Sequence, residues 1–367
     1  MCKARYALAC PFLYEHIILG RNRVFPPLRD ALSSAALENR QIGWWTKRLD
    51  VRMRDATESS RTVFDTLADI LTYLPNLCIL TFSITGHGFN SSLPNVVLES
   101  ITTSGSLKCV RWYNLTTEPK PCHWTAFLRR HPELEFLGNQ TVALNTHVKL
   151  DTVKILHGHP SRTGQMTLWS TVDLPAVRSL FYDWAYDFEI DNSAESITLS
   201  RLGQNLTNIQ LDVFEERYLP MSRLASAFAR IRAECTCLIQ VVLGFESWPM
   251  LGSYTPTLPS TVHTLSIRVR DAQISVANVK RFFNTHLPSY IACDPSVKTI
   301  KFMEAKNIRA LRSHPLPLWH GLRAMEKWRV TIKDLEDRLI VPPSCPGVIH
   351  LQQLDKPSSI STLDAEV

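Results

Sequence analysis

The side chains best suited to chemistry in this sequence are histidines and cysteines, and they are scattered. His157 and His159 are separated by one glycine, so on a strand both imidazoles would project from the same face of a sheet. A zinc ion would need further ligands close by, and the sequence offers no identifiable one beyond the more distant His147. We therefore expect two surface histidines and predict neither a metal ion nor any other cofactor.

The cysteines do not form a regular framework either. There are nine, an odd number, without a C-x-x-C motif, and the nearest spacing is that of Cys235 and Cys237. We expect these two thiols and Cys122, which precedes His123, to be buried or half-buried. No recognised motif pairs a nucleophile with a base, so we predict that the protein is not an enzyme. Free thiols without a secretion signal favour a reducing compartment, the cytoplasm and/or the nucleus.

Positive charge is concentrated at the start of the chain. The 367 residues carry a formal charge of +6, and residues 1–54 account for all of it, with ten Lys and Arg against four Asp and Glu. Such a segment can steer an acidic partner. The basic residues form no dense run and no nucleic-acid motif accompanies them, which argues against nucleic acid. No apolar run is long enough for a membrane helix, and we expect no signal peptide and no membrane partner.

The strands that would position any functional residue are indicated by a short apolar sequence motif that recurs along the chain. We call this motif the phrase. An apolar residue is followed by another three positions later and, in most copies, by a third five positions after the first. A phrase that returns every few dozen residues is typical of a solenoid, in which each repeat contains one strand and one return segment. The nine copies begin at Leu77, Leu107, Leu134, Val153, Val177, Leu206, Leu238, Val262 and Val297.

Several return segments have the apolar period of helices, and one of them follows Pro26-Pro27, which suits a first helical turn. Predicted helices cover 28–37, 63–71, 122–130, 221–233 and 276–287, and a first, atypical strand covers 43–51. Alternation of strand and helix predicts a parallel sheet, because parallel neighbours need a crossover. The predicted fold is an α/β solenoid with a curved, mostly parallel sheet and helices on its outer face.

The recurring phrase resembles that of leucine-rich repeats, in which the first, fourth and sixth positions point into the stack. Leucine-rich repeats also carry Asn or Cys three residues after the sixth position, and all nine copies lack it. The resemblance therefore implies an irregular leucine-rich-repeat-like solenoid.

Residues 1–19, MCKARYALACPFLYEHIIL, look like the closing helix and exit of an F-box. Together with GRNRVFPPLRDAL, GWWTKRLDVRMRD, LKCVRWYNL and HPELEFLG, they make the chain resemble F-box-type proteins of mushroom-forming fungi with irregular leucine-rich repeats. Only the end of the box is represented, so the resemblance implies a box truncated at its N-terminus. It also implies a Skp-type adaptor as partner, on a surface formed by Cys2, Tyr6, Pro11, Leu13 and Tyr14.

These patterns divide the chain into four regions. Residues 1–20 are the F-box remnant, and 21–73 form a helical N-terminal cap with the first atypical repeat. Residues 74–341 are the irregular leucine-rich-repeat solenoid, and 342–367 are a flexible tail.

If the first, fourth and sixth positions of each phrase are core, the third, fifth and seventh line the exposed face of the sheet. That face mixes cationic, aromatic and short polar side chains, a composition suited to recognising a protein. We expect Arg111, Tyr113, Phe181 and Asp183 to be the main anchors. The predicted partner-binding residues are Arg111, Tyr113, His157, Phe181, Asp183, Gln210, Asp212, Arg268 and Lys301.

The same assignment predicts how stability responds to charge. Aspartate at Leu80 or Leu265 would unfold the stack, because both side chains would be core. Aspartate at Thr81 or Ser266 would have little effect, because both would be exposed.

The predicted function is a non-catalytic protein-recognition module. By resemblance it would be the substrate receptor of a Skp–cullin–F-box ubiquitin ligase, which holds an unidentified protein substrate close to the ligase machinery. The alternative is a free-standing repeat scaffold for protein–protein interaction with no ubiquitin link.

Overall fold

The computed structural model describes residues 3–54, 60–85, 94–101, 106–112, 119–139, 147–158, 172–183, 199–213, 221–252 and 255–340. Fourteen strands lie in these ranges. They are β1 (His16–Leu19), β2 (Arg48–Arg54), β3 (Ile79–Thr85), β4 (Cys109–Trp112), β5 (Phe136–Asn139), β6 (Val148–Lys149), β7 (Ile155–Gly158), β8 (Val172–Asp173), β9 (Ser179–Asp183), β10 (Asn208–Val213), β11 (Gln240–Phe245), β12 (Thr264–Val269), β13 (Thr299–Phe302) and β14 (Thr331–Lys333).

Helices occupy many of the returns between strands. They are α1 (Lys3–Glu15), α2 (Phe25–Leu37), α3 (Ser60–Thr72), α4 (Asn95–Ser100), α5 (Pro121–Arg130), α6 (Met221–Glu234), α7 (Val276–Arg281), α8 (Leu287–Cys293), α9 (Ala305–Arg312) and α10 (Pro315–Lys327). Short 3-10 turns lie at Asn22–Val24, Ile42–Trp45, Gly203–Asn205 and Trp248–Gly252, and a π-helical turn at Phe282–His286 joins α7 to α8.

Twelve strands form one sheet whose spatial order follows the chain, with every pairing parallel. The short strands β6 and β8 are omitted from it and pair with each other. An uncrossed parallel order, with a return between successive strands, is the topology of a solenoid. The predicted α/β solenoid with a parallel sheet is therefore confirmed.

One face of the sheet packs against the returns and forms the core. The fourth and sixth positions of the phrase, such as Leu80 with Phe82 and Leu265 with Ile267, are buried on this face. Trp112 of β4 lies 6.3 Å from Trp124 of α5, and Phe302 of β13 lies 5.8 Å from Phe282. These aromatic contacts show that the helices cover the face onto which the phrase points its apolar side chains.

A continuous backbone ladder fixes the register before each strand begins. The carbonyl of Lys47 accepts N–H bonds from Cys78 and Ile79, and the carbonyl of Cys78 accepts from Lys108 and Cys109. The same pattern repeats from strand to strand as far as Lys298, whose carbonyl accepts from Thr331. Since backbone groups carry this ladder, successive units align without the Asn side chain that their phrase lacks.

One side-chain counterpart of the missing Asn lies on a helix. Asn307 of α9 is buried, its Oδ1 accepts from the N–H of Val269, and its Nδ2 donates to the carbonyl of Val269. It therefore satisfies the backbone at the end of β12, where the parallel ladder stops.

The predicted helices are found, but one helix and the first predicted strand differ from their predicted bounds. The helix predicted over 276–287 is longer and passes through a π-helical turn into α8, which ends at Cys293. The strand predicted over 43–51 is shifted: residues 42–45 form a 3-10 turn, and β2 runs over Arg48–Arg54.

The sheet also extends beyond the nine phrases, because β1 and β2 precede residue 74 and β14 follows β13. In the unit that contains β2, the first position of the phrase is Thr46, which is buried but polar, so a search for apolar residues misses that unit. The predicted tail, 342–367, lies outside the described residues.

Candidate functional site

Strand register arranges the side chains opposite the core into rows, and we call this surface the non-core face. Because side chains alternate along a strand, residues in register across the sheet project from the same face. The central row, from β1 to β14, contains Ile18, Asp50, Thr81, Arg111, Gly138, His157, Phe181, Gln210, Val242, Ser266, Lys301 and Lys333.

A cationic and aromatic cluster occupies the middle of this face, and we call it the aromatic cluster: Arg111, Phe136, His157 and Phe181. The Arg111 guanidinium carbon lies 5.0 Å from the centre of the Phe136 ring, a cation–π contact. The Phe181 ring centre lies 6.4 Å from Phe136 and also 6.4 Å from His157, which it meets edge-on. All four side chains are half-buried, so they support one another and still present surface to solvent.

A glycine lies at the centre of this cluster. Gly138 of β5 is in register between Arg111 of β4 and His157 of β7. A Cβ atom at this position would lie 3.3 Å from the Phe136 ring, slightly closer than ordinary van der Waals contact, and 3.4 Å from the Cα of Arg111. The absence of a side chain at Gly138 therefore leaves room for the Phe136 ring to pack against β5.

Phe136 belongs to the non-core face of the sheet. It lies two residues after Leu134 and one before Leu137, so it occupies the third position of its phrase, which projects away from the core. The face on which Phe136 lies is therefore indicated by its position within the phrase and not by its aromatic character.

An ion-paired network crosses the C-terminal part of the face. Arg268 of β12 donates to Asp212 of β10 at 2.8 Å, passing over the intervening Gly244 of β11. Gln210 donates to the same carboxylate at 3.2 Å, and Glu304 lies 3.6 Å from Arg268. Asp212 is only 2% exposed, so its predicted place on an exposed face is wrong: its carboxylate is buried because its neighbours surround and neutralise it.

Other predicted positions of this face are also covered. Thr81 and Ser266 are buried, and Ser266 accepts a hydrogen bond of 2.7 Å from Gln240. Lys301 is mostly covered as well, with Nζ 2.8 Å from Asp337. The expectation that Thr81 and Ser266 are exposed is therefore wrong, and at Ser266 the longer side chain of Gln240 contributes to the burial.

The N-terminal part of the face is built around a buried carboxylate. Asp50 of β2 accepts two bonds of 3.0 Å from Arg48 and one of 3.0 Å from His16 of β1. Arg52 lies 3.6 Å from the same group. Burial raises the pKa of the Asp50 carboxyl, but the bonds from Arg48 and His16 outweigh burial and hold it below its usual value. Three basic side chains are thus held at one place by one ionised acid.

Not every predicted site residue can be placed. Cys2, Tyr113 and His159 lie outside the described residues, and so do the side chains of Tyr6 and Asp183. The backbone of Asp183 pairs in register with Asp212, at the edge of the ion-paired network.

The helix expected at the N-terminus is present as α1, and β1 follows it directly. The end of α1 presents apolar surface: Phe12 is 80% exposed and Leu13 63%. Pro11 and Tyr14 are half-buried beside them. Of the predicted adaptor-side residues, the structure therefore shows Leu13 clearly accessible.

The thiols differ from the expectation in part. Cys235 is buried, and burial raises the pKa of its thiol to about 12, so it is a poor nucleophile. Cys122 and Cys237 are exposed, which corrects their predicted burial.

Among the described residues, no three His, Cys, Asp or Glu side chains are grouped so that they could hold a metal ion. None of the described helices is long and apolar enough to cross a bilayer.

Comparisons with known proteins give a limited result. No protein-family model matches the chain, and no curated protein matches it in sequence. A solved structure of the leucine-rich repeat-containing protein LegL7 from Legionella pneumophila is similar over 85% of this chain and 90% of its own, with 12% identity and a TM-score of 0.45. A protein from Bacteroides fragilis is similar over 72% of each chain, with 13% identity and a TM-score of 0.37. At these values the likenesses add no argument to the strand order described above.

Proposed function

We propose that the protein is a non-catalytic recognition scaffold that binds another protein on the non-core face of its sheet. The aromatic cluster is the observation that supports this most. It combines an arginine with two phenylalanines and a histidine, and Arg and aromatic side chains are enriched where protein interfaces gain most of their binding energy.

The strands around the cluster favour binding because they hold it in place before a partner arrives. Arg111, Phe136, His157 and Phe181 come from four consecutive strands of one hydrogen-bonded sheet. Side chains on such strands lose little freedom when a partner docks, so less of the binding free energy is lost to ordering.

Peptide selection tests this function with a matched control. A library of random peptides is selected on the purified protein, and the affinities of the enriched peptides are measured for Phe136→Ala/Phe181→Ala. We expect this double variant to weaken binding at least tenfold. Trp319→Ala removes a similar arginine-stacked ring, 5.7 Å from Arg323 on α10, and should leave affinity unchanged. Loss of binding in Trp319→Ala alone would place recognition on the helices instead.

A finer proposal concerns the end of α1. We propose that a Skp-type adaptor docks on its exposed apolar residues, which would make the scaffold a substrate receptor of a ubiquitin ligase. The observation that favours it is the exposure of Phe12 and Leu13, since apolar side chains grouped on a surface mark contact sites. Without adaptor docking the protein is a free-standing scaffold.

Binding to a purified Skp-type adaptor separates these two functions. Leu13→Asp should abolish the complex, because it places a charge in an apolar contact. Leu37→Asp introduces the same charge at an exposed leucine of α2 and should leave the complex intact. No complex with the unaltered protein would favour the free-standing scaffold, and equal effects of both variants would contradict docking through α1.

A further inference from the structure

The N-terminal third of the non-core face carries unbalanced positive charge. On β1–β4 the described charged side chains of this face include Arg48, Arg52 and Arg111, whereas Asp50 is the one described acid. Asp50 is fully buried, while Arg52 is 47% exposed. A partner approaching this region therefore meets guanidinium groups and not the carboxylate.

Acids next to this region are already matched by lysines. At the start of β5, Glu135 lies 2.9 Å from Lys154 and 3.8 Å from Lys108, and Glu133 lies 3.6 Å from Lys108. They do not cancel the positive charge of β1–β4.

The C-terminal end of the same face is balanced instead. Arg268 lies between Asp212 and Glu304, and Lys301 is paired with Asp337. Arg268 and Lys301 therefore have carboxylate partners of their own, whereas Arg48, Arg52 and His16 share the single carboxylate of Asp50. The described side chains of the non-core face therefore carry excess positive charge at the N-terminal end and balanced charge at the C-terminal end.

We propose that an acidic, extended polypeptide segment of the partner binds the non-core face at β1–β4, next to the aromatic cluster. This inference rests on the proposed function and adds the chemistry of its partner. Adjacent strands are about 4.8 Å apart and residues about 3.3 Å along a strand, so Arg48, Arg52 and Arg111 lie roughly 10–15 Å from one another. Acidic side chains at alternate positions of an extended segment, about 7 Å apart, can reach two or three of them.

The neighbouring apolar side chains favour a polypeptide over a nucleic acid. Ile18 of β1 is 50% exposed and Ile79 of β3 is half-buried, both on the same face as the arginines. Aliphatic side chains of this kind complement the apolar residues of a peptide.

Direct binding of defined probes tests the inference. Fluorescein-labelled octaglutamate, octaglutamine and an eight-phosphate single-stranded oligodeoxynucleotide are titrated with the protein, and fluorescence anisotropy is recorded. We expect octaglutamate to bind at least tenfold more tightly than either other probe, with affinity falling as salt rises. Equal binding of octaglutamine, or tighter binding of the oligonucleotide, would overturn the inference.

Matched variants locate the site on the face. Arg52→Gln/Arg111→Gln should weaken octaglutamate binding at least tenfold at an unchanged melting temperature. Arg270→Gln makes the same substitution just after β12, beside Glu246, and should change affinity less than twofold. Equal losses in both would contradict the placement. Neutral selected peptides that need Phe136 and Phe181, without octaglutamate binding, would refute this inference and leave the proposed function standing.

Discussion

Two buried aspartates have opposite environments and therefore opposite effects on stability. Asp50 is held ionised by Arg48 and His16. Asp294, which precedes β13, accepts a hydrogen bond of 2.9 Å from the N–H of Leu258, and burial raises the pKa of its carboxyl to about 6. Asp294 is thus favoured in its neutral form, because water is excluded and one backbone donor compensates the charge only in part.

Asp294→Asn should stabilise the protein at neutral pH. The folded-state pKa of Asp294, about 6, lies above the ordinary aspartate value of 3.8, so the folded protein binds more protons and this group's contribution to stability is lost as pH rises through about 6. The amide oxygen can keep the bond from Leu258. We expect the variant to gain about 1–3 kcal/mol in free energy of unfolding at pH 7 and little at pH 4.

Urea unfolding of both proteins between pH 4 and pH 8 measures this difference. Comparing variant with parent cancels other titrating groups, such as the buried His131, the pKa of which burial lowers to about 4. A variant less stable than the parent at pH 7 would show that the charge of Asp294 is needed.

At the scale of the element, a glycine on β11 allows the ion-paired network to cross the strand. A Cβ atom on Gly244 would lie 2.0 Å from Oδ1 of Asp212, so any side chain displaces the carboxylate that Arg268 contacts. We expect Gly244→Ala to lower the free energy of unfolding by about 1–3 kcal/mol, since a buried group loses its partner.

Gly20→Ala is the control for this substitution, because nothing lies within 4 Å of its Cβ position. Thermal melts of both variants report the comparison. A melting temperature of Gly244→Ala equal to that of Gly20→Ala would mean that the network contributes nothing to stability.

The two faces of β12 respond to substitution in a way that sequence alone did not fully anticipate. Leu265 is a core residue, and Leu265→Ala should cost about 2–5 kcal/mol. Ser266 is equally buried on the other face, so Ser266→Asp should also destabilise the protein, although the sequence predicted little effect on stability. Chemical denaturation checks both, with the exposed Thr261→Ala as reference. A silent Ser266→Asp would show that its neighbours move aside easily.

The strands could be predicted well because their signal is local. The spacing of Leu77, Leu80 and Phe82 states which side chains enter the core, and the same spacing recurs in the other units. The side chains of the opposite face depend on residues distant in sequence. Asp212 is buried by Arg268 and by the glycine between them, and no spacing rule connects these positions.

The candidate site was predictable for the same reason only in part. Arg111, His157 and Phe181 were identified from alternation, and the structure brings them together. Phe136 completes the cluster because β5 lies between β4 and β7, a neighbour relation that appears only when the strands are assembled.

At the scale of the whole molecule, the parallel order of twelve strands produces one long surface with distinct parts. The basic group around Asp50 lies at one end, the aromatic cluster in the middle and the ion-paired network towards the other end. A solenoid presents such an extended surface because each unit adds one strand to it. A polypeptide partner laid across the strands would contact several parts at once.

Photo-crosslinking tests the central claim most directly, that a protein partner binds the non-core face. A photoreactive phenylalanine analogue is placed at Phe181, or at the exposed Arg309 on α9, and each protein is irradiated with a selected peptide bound. We expect crosslinks from position 181 and none from position 309. Crosslinks from position 309 with none from position 181 would contradict the account and assign recognition to the helical side.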